Sequence, residues 1–212
     1  MGAGGIAVVA IDVLVDMGKK IDFCIDDNDT IQSLQGVDVV SSKSFHPAKN
    51  YKSAPELLVC VGDCAARKRL ARAYVGPFGK AIHPTAIISN SARIGEGSMV
   101  FHGAILQANA LLGKHVIINT GASVDHDCKV GNFVHIGPHS TLCGLVTIED
   151  GAYLGAAVTV LPGVRIGASA IIGAGAVVIE DVPPKSTYVG VPARRVEKRM
   201  PLKRARPLTG VR

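Results

Sequence analysis

Tryptophan is absent and aromatic residues make up only 4% of the 212-residue chain. A sizeable core must therefore be filled by aliphatic side chains. No apolar run is long enough to span a bilayer. No basic segment leads into an apolar stretch with a cleavage site. These absences predict a cytoplasmic protein with no stable membrane insertion. Cys24, Cys60, Cys64, Cys128 and Cys143 are odd in number and fit no zinc spacing. They are read as free, buried thiols. Excess positive charge is absent from the body as well. The chain carries +6, but the stretch from Arg194 to Arg212 holds eight Lys/Arg and one acid, which leaves fifteen basic and sixteen acidic residues elsewhere. A near-neutral body does not argue for nucleic-acid binding.

What is present is a period of six. From Ile82, every sixth residue to Val178 is aliphatic, seventeen in all, among them Val100, Leu112, Val124, Ile136, Leu154 and Ile172. Four places after each stands a small or slim residue, such as Ala104, Ala122, Cys128, Ser140 and Ala176. Glycine often follows the aliphatic directly, as at Gly95, Gly113, Gly137 and Gly155. Helices repeat near 3.6 and ordinary strands near 2, so neither explains the pattern. A solenoid of short strands does: the aliphatic fills the core, the slim residue fits beside it, and glycine permits the turn. Three hexapeptides make one coil, so the segment folds as a parallel β-helix of almost six coils, roughly 27 Å tall. Only the two ends of such a prism expose strand edges.

Residues 1–80 follow another rule. Gly2-Ala3-Gly4-Gly5 leads into an apolar-faced helix from Ile6 to Met17, closed by Gly18. Ile21–Ile25, Val37–Val40 and Leu57–Val61 read as strands, and Ala65–Tyr74 as a helix bearing Arg67 and Lys68. The alternation suggests a small parallel α/β sheet. A glycine turn before a helix can hold phosphate on its N–H groups. Acids ending a following strand, here Asp26 and Asp27, can bond a ribose. The turn begins at residue 2, so the buried strand expected before it is missing from the sheet or lies upstream. Gly76-Pro77-Phe78-Gly79 links the two units, giving 81–182 as the β-helix and 183–212 as a closing loop and basic tail. Pro183-Pro184 should stop the prism, and the end of the tail should be disordered.

Six histidines fall in the prism, and His126 differs from the rest by its neighbours Asp125 and Asp127. A carboxylate beside an imidazole raises its pKa and makes it a better base. His126 lies two places past the inward Val124, at a corner, where its equivalents one coil away are Ala108 and Gly144, small enough to leave room for a ligand. His135 lies half a coil away, so the two rings should meet only between neighbouring subunits.

Val124-Asp125-His126-Asp127-Cys128, Phe133-Val134-His135 and Cys143-Gly144 resemble the active-site region of the NeuD/PglD group of sugar acetyltransferases. The likeness extends to Gly2–Gly5, Asp26-Asp27, Val61-Gly62 with Arg67-Lys68, the repeats, and Val189-Gly190-Val191-Pro192-Ala193. It implies a left-handed β-helix preceded by a small Rossmann-like domain. It implies acetyl-CoA-dependent N-acetylation of a nucleotide-linked 4-amino sugar for surface glycans. His126 would be the general base, with Asp127 raising its basicity. His135, Gly144, Ala156 and Ala174 would line the acetyl-CoA site, and Gly4, Gly5, Asp26, Asp27 and Gly62 the nucleotide sugar. The group is homotrimeric with sites between subunits, and no metal is required. Ile6 stands where many members have histidine. The alternatives are O-acetylation of a sugar such as sialic acid, zinc-dependent hydration as in the γ-type carbonic anhydrases, and a trimeric non-catalytic scaffold. The basic tail is a solvated extension, a contact for CoA phosphates, or a weak anchor to anionic membrane.

Overall fold

The computed structural model describes residues 1–45 and 55–196. Among them, seventeen two-residue strands run from β4 (Ala81–Ile82) to β20 (Val177–Val178), each ending on one of the periodic aliphatics. Every strand pairs in parallel with the strand one coil away, as Ile118 does with Ile136 and Val124 with Leu142. The result is a three-faced parallel β-helix with faces of eight, six and five strands. The periodic aliphatics form one continuous buried column with the slim residues beside them. Where a slim residue is polar, it satisfies its own hydrogen bonds. Ser140 Oγ donates to Gly155 O (2.8 Å) and accepts from Val158 N–H (3.1 Å), so a hydroxyl in the core costs little.

The corners differ from expectation. The glycines directly after the aliphatics do not carry the special backbone. That falls two residues later, where all fourteen positions from Gly97 to Gly175 have φ between 54° and 74°. Eight of the fourteen are not glycine, including Asn109, Asp127, His139 and Ala157. The glycine after the aliphatic is needed for space instead. A Cβ on Gly137 would stand 2.5 Å from the Gly155 backbone. Stacked corners leave no room for a side chain there.

The N-terminal unit holds helix α1 (Gly5–Asp16), strands β1 (Cys24–Asp26), β2 (Ser33–Leu34) and β3 (Val37–Ser41), and helix α2 (Cys64–Ala73). Strand β1 is parallel to β3, while β2 joins β3 in an antiparallel hairpin that the sequence did not signal. The expected strand at 57–61 does not form a regular ladder, although its backbone is engaged. Cys60 N–H donates to Met1 O (2.7 Å) and Gly2 N–H to Ile25 O (2.7 Å). Met1 and Gly2 therefore occupy the place between two extended segments. At the far end, β21 (Thr187–Val189) extends the eight-stranded face beyond the Pro183-Pro184 stop. Arg194–Arg195 pairs back on β21 and does not begin a free tail. The tail from 197 onward lies outside the described residues.

The two units are packed together. Val13 and Ala10 of α1 bury Ala81, Met99 and Ile117, the outward column of the eight-stranded face. Asp63 caps α2, accepting from Ala66 N–H (2.7 Å). This helix carries the joint, Arg67, whose side chain has no exposed surface. Its guanidinium donates to His115 O (2.9 Å), Val61 O (2.7 Å), Gly62 O (3.1 Å), Phe133 O (2.8 Å) and Val134 O (3.2 Å). Beside it His115 stacks on Phe133 and meets Phe78 edge-on. Burial and the nearby guanidinium push the His115 imidazole below its ordinary pKa.

Removing Arg67 strands the carbonyls of Val61, His115 and Phe133 and takes one of two donors from those of Gly62 and Val134. Arg67→Ala should lower stability to chemical denaturation by about 3 kcal/mol or more. Arg67→Lys should recover less than half of that, because an ammonium cannot reproduce the planar fork.

Candidate active site

His126 and Asp127 sit at the corner after the six-stranded face. Asp127 has left-handed backbone (φ 58°), which turns its side chain back towards its neighbour. Its Oδ2 lies 2.9 Å from His126 Nδ1. A carboxylate only accepts, so Nδ1 carries the proton and Nε2 keeps its lone pair. The other oxygen, Oδ1, accepts from Asn109 Nδ2 (3.0 Å). The hydrogen bond from Asp127 raises the His126 pKa, with Asp125 adding to it, and the same contact lowers that of Asp127. Both side chains remain open to solvent, 54% and 44% exposed. An exposed imidazole with a free Nε2 and an ionised partner is arranged to accept a proton.

Gly144 lies one coil on, and the expected room above it is filled by the histidine itself. A Cβ at Gly144 would stand 2.5 Å from His126 Nε2. Glycine here seats the ring. The Gly144 N–H has no protein acceptor among the described residues.

The other residues expected at the cofactor lie elsewhere on the prism. Ala156 and Ala174 follow strands Tyr153–Leu154 and Ile171–Ile172 of the eight-stranded face. They occupy the corner at the other edge of the six-stranded face. His135 points outward from the eight-stranded face and is buried by the N-terminal unit. Its Nδ1 donates to Gly62 O (3.0 Å), and burial pushes its pKa down to about 4, so the ring is neutral. The five expected positions beyond Asp127 are thus divided between the corners at the two edges of the six-stranded face and, for His135, the eight-stranded face.

Among the residues expected at the nucleotide sugar, Gly62 comes closest to the prism. A Cβ there would lie 3.5 Å from Ile6 Cγ1 and 3.7 Å from His135 Cε1. Gly4 is the N-cap of α1, and no side chain caps the helix. Open space surrounds Gly4 and Gly5, so the helix start can receive an anion. Asp26 is committed within the fold: its Oδ2 accepts from Ala3 N–H (2.6 Å) and its Oδ1 from Asn28 N–H (2.8 Å). Asp27 is exposed.

Two rival chemistries have identifiable residues. Burial raises the Cys128 thiol to about 11, and its Sγ points at Cys143 O (3.1 Å), which makes it a poor nucleophile. Asp16, His83 and His102 bring one potential ligand atom each within 4.8 Å of one another. Both His83 nitrogens already have partners in Asp16 (2.8 Å) and Thr85 (2.7 Å). This cluster lies at a different corner from His126.

A family model described as the PglD N-terminal domain matches residues 1–74, and one described as bacterial transferase hexapeptide (six repeats) matches residues 146–180. GDP-perosamine N-acetyltransferase of Escherichia coli O157:H7 is 31% identical over 183 residues, 82% of this chain and 81% of that protein. The chain belongs to the NeuD/PglD group of sugar acetyltransferases. The crystal structure of PerB from Caulobacter crescentus, in complex with CoA and GDP-perosamine, superposes with a TM-score of 0.87 at 39% identity, covering 92% of this chain and 94% of that one. Serine acetyltransferase 2 of Arabidopsis thaliana is 32% identical over 163 residues, 74% of this chain; the chain spans 44% of that protein's length. No helix among the described residues is long and apolar enough to cross a membrane.

Sequence reasoning missed Asn109, whose only sign was its place eighteen residues before Asp127. It also took Gly144 as space for a ligand when the glycine is space for the His126 ring. Gly144→Ala tests that reading. The added methyl should displace the imidazole and lower kcat at least tenfold, while the thermal midpoint changes little because the corner is at the surface.

Proposed function

We propose that this protein transfers the acetyl group of acetyl-CoA to the amine of a nucleotide-linked 4-amino sugar. The observation that carries the reading is the His126–Asp127 pair, with Nδ1 held and Nε2 free beside Gly144. The likeness to GDP-perosamine N-acetyltransferase over four-fifths of both chains supports the acceptor class.

The chemistry follows from that pair. A sugar amine is mostly protonated at neutral pH and attacks poorly until it sheds its proton. As its nitrogen bonds to the thioester carbonyl carbon, His126 Nε2 takes one of its two remaining protons and the other stays as the amide N–H. The Gly144 N–H stabilises the developing oxyanion. The carbon–sulfur bond then breaks, coenzyme A leaves as a thiolate, and the proton on His126 passes to thiolate or solvent. No acyl-enzyme is needed, in keeping with the unreactive Cys128. The open start of α1 at Gly4 and Gly5 receives the nucleotide phosphates, and Asp27 and Gly62 border the sugar. Asp26 acts indirectly by holding the turn at Ala3.

The division of residues between two corners supports a homotrimer. In such a trimer His126, Asp127 and Gly144 of one prism face Ala156 and Ala174 of the next, while His135 stays under its own N-terminal unit. The six-stranded face between the corners is uncharged outside, with Ile105, Ser123, Thr141, Thr159 and Val177 in one column. Such a face can be buried between subunits at little desolvation cost. Sedimentation equilibrium should give three times the chain mass, and Thr141→Arg should reduce both the mass and the activity.

A thiol-release assay with acetyl-CoA and a panel of UDP- and GDP-linked 4-amino sugars, free sialic acid and simple amines tests the activity. One amino-sugar nucleotide should turn over, and His126→Ala should lose at least about a hundredfold. The base works deprotonated and its pKa is raised. Activity should therefore fall with decreasing pH through a midpoint above the ordinary histidine value of about 6.5. Turnover of sialic acid alone would favour O-acetylation. Acetyl-CoA binding without turnover of any acceptor would leave a scaffold.

A further inference from the structure

The histidine–aspartate pair is unusually open for a catalytic dyad, and exposure creates a problem. A surface ion pair gains little and pays side-chain entropy to hold its geometry. A carboxylate with one partner can swing away and exchange that partner for water. Something must hold Asp127 in the rotamer that meets Nδ1.

The coil register supplies a second partner. Ser91, Asn109 and Asp127 occupy the same corner position on three successive coils, each eighteen residues apart. Asn109 N–H donates to Ser91 Oγ (2.9 Å), and its side-chain Nδ2 donates to Asp127 Oδ1 (3.0 Å). The second carboxylate oxygen is the one on His126 Nδ1 (2.9 Å). Two fixed donors on two oxygens define the carboxylate plane. On the next coil the same position is Leu145, exposed to solvent, so the polar chain ends at the coil that bears the histidine.

The residue type fits the task. Asn109 has left-handed backbone (φ 60°), a conformation asparagine tolerates better than most side chains. Its side chain is short, so a fixed backbone fixes the amide. It is also neutral. Lysine or arginine in its place would hold the carboxylate and cancel the negative charge that makes His126 basic.

We infer that Asn109 is a positioning residue for the reaction: it holds Asp127 in the one orientation that keeps the His126 imidazole aimed, with Nε2 towards the acceptor. The inference rests on His126 being the base. The charged groups that act on His126 are Asp127 and Asp125, and Asp125 stays in place in every variant below. Holding the pair matters because small misplacements of a catalytic group cost rate steeply.

The test is a double-mutant cycle on the full chain with Asn109→Ala, Asp127→Ala and the two combined. Ala157 already occupies an equivalent left-handed position (φ 54°), so alanine at 109 is compatible with folding. Asn109→Asp, isosteric and tolerant of the same backbone, provides a second variant. Asn109→Ala should lower kcat about tenfold, a part of the roughly hundredfold or more that a base supplies. Both KM values should stay within about twofold. The His126 titration midpoint, followed by NMR of the ring, should fall towards the ordinary histidine value. The combined variant should be no slower than Asp127→Ala alone, since Asn109 acts through that carboxylate. Asn109→Asp, which turns the donor into a second carboxylate, should be at least as slow as Asn109→Ala.

An unchanged rate and His126 midpoint in Asn109→Ala would overturn the inference. So would losses that multiply in the combined variant, because Asn109 would then act elsewhere. His126→Ala, run beside these, separates the two levels. If it is inactive while Asn109→Ala matches the parent, only the positioning role falls. If it keeps the parent rate, the base assignment fails and this role falls with it.

Discussion

One coil takes eighteen residues, and that register places each side chain on the residue eighteen before or after it. The core follows directly: aliphatic lies on aliphatic, with a slim residue beside each. The corners follow as well. Their left-handed backbones carry side chains outside the prism, stacked in columns that owe nothing to the core. His126 lies over Gly144 and Asp127 over Asn109 for the same reason that Val124 lies over Leu106. The His126–Asp127 geometry is a by-product of the packing repeat, decorated at one corner. Activity can therefore vary along such a fold without disturbing what holds it together.

The second constraint is Arg67. A fully buried guanidinium with no carboxylate partner among the described residues is expensive unless every donor is used. Here carbonyls from the loop after Cys60 and from one prism corner on two successive coils use them. Because these carbonyls come from both units, burying the arginine defines how one sits on the other. Gly62 O is shared between Arg67 Nη1 (3.1 Å) and His135 Nδ1 (3.0 Å). A single carbonyl thus belongs to the joint between units and to the edge of the proposed site. The depressed pKa of His135, about 4, keeps that ring a neutral donor across the working pH range. A charge at the joint would otherwise sit beside the arginine.

Legibility in the sequence was uneven, and the unevenness has a cause. The seventeen strands, the inward column, helix α1 and the special character of His126 could all be read, since each is signalled by a period or by near neighbours in the chain. The corner glycines were recognised but given the wrong reason, because sequence alone cannot separate a need for positive φ from a need for space. The 57–61 segment read as a strand, yet its apolar run is paired only in part. Asp26 read as a ligand group and proved to be tied to Ala3, a contact across 23 residues with no pattern to announce it.

By itself, then, the sequence determined the prism and the place of His126 upon it. Both depend on contacts at a constant spacing, and a constant spacing is visible in one dimension. Only the tertiary structure decided what covers the outward residues. Met99 and Ile117 lie under α1, Arg67 is buried to the last atom, and Asn109 is joined to the Asp127 carboxylate. Those contacts depend on how two units dock and which rotamers a corner allows. Such information is held in the relative positions of atoms and leaves no periodic trace in the chain.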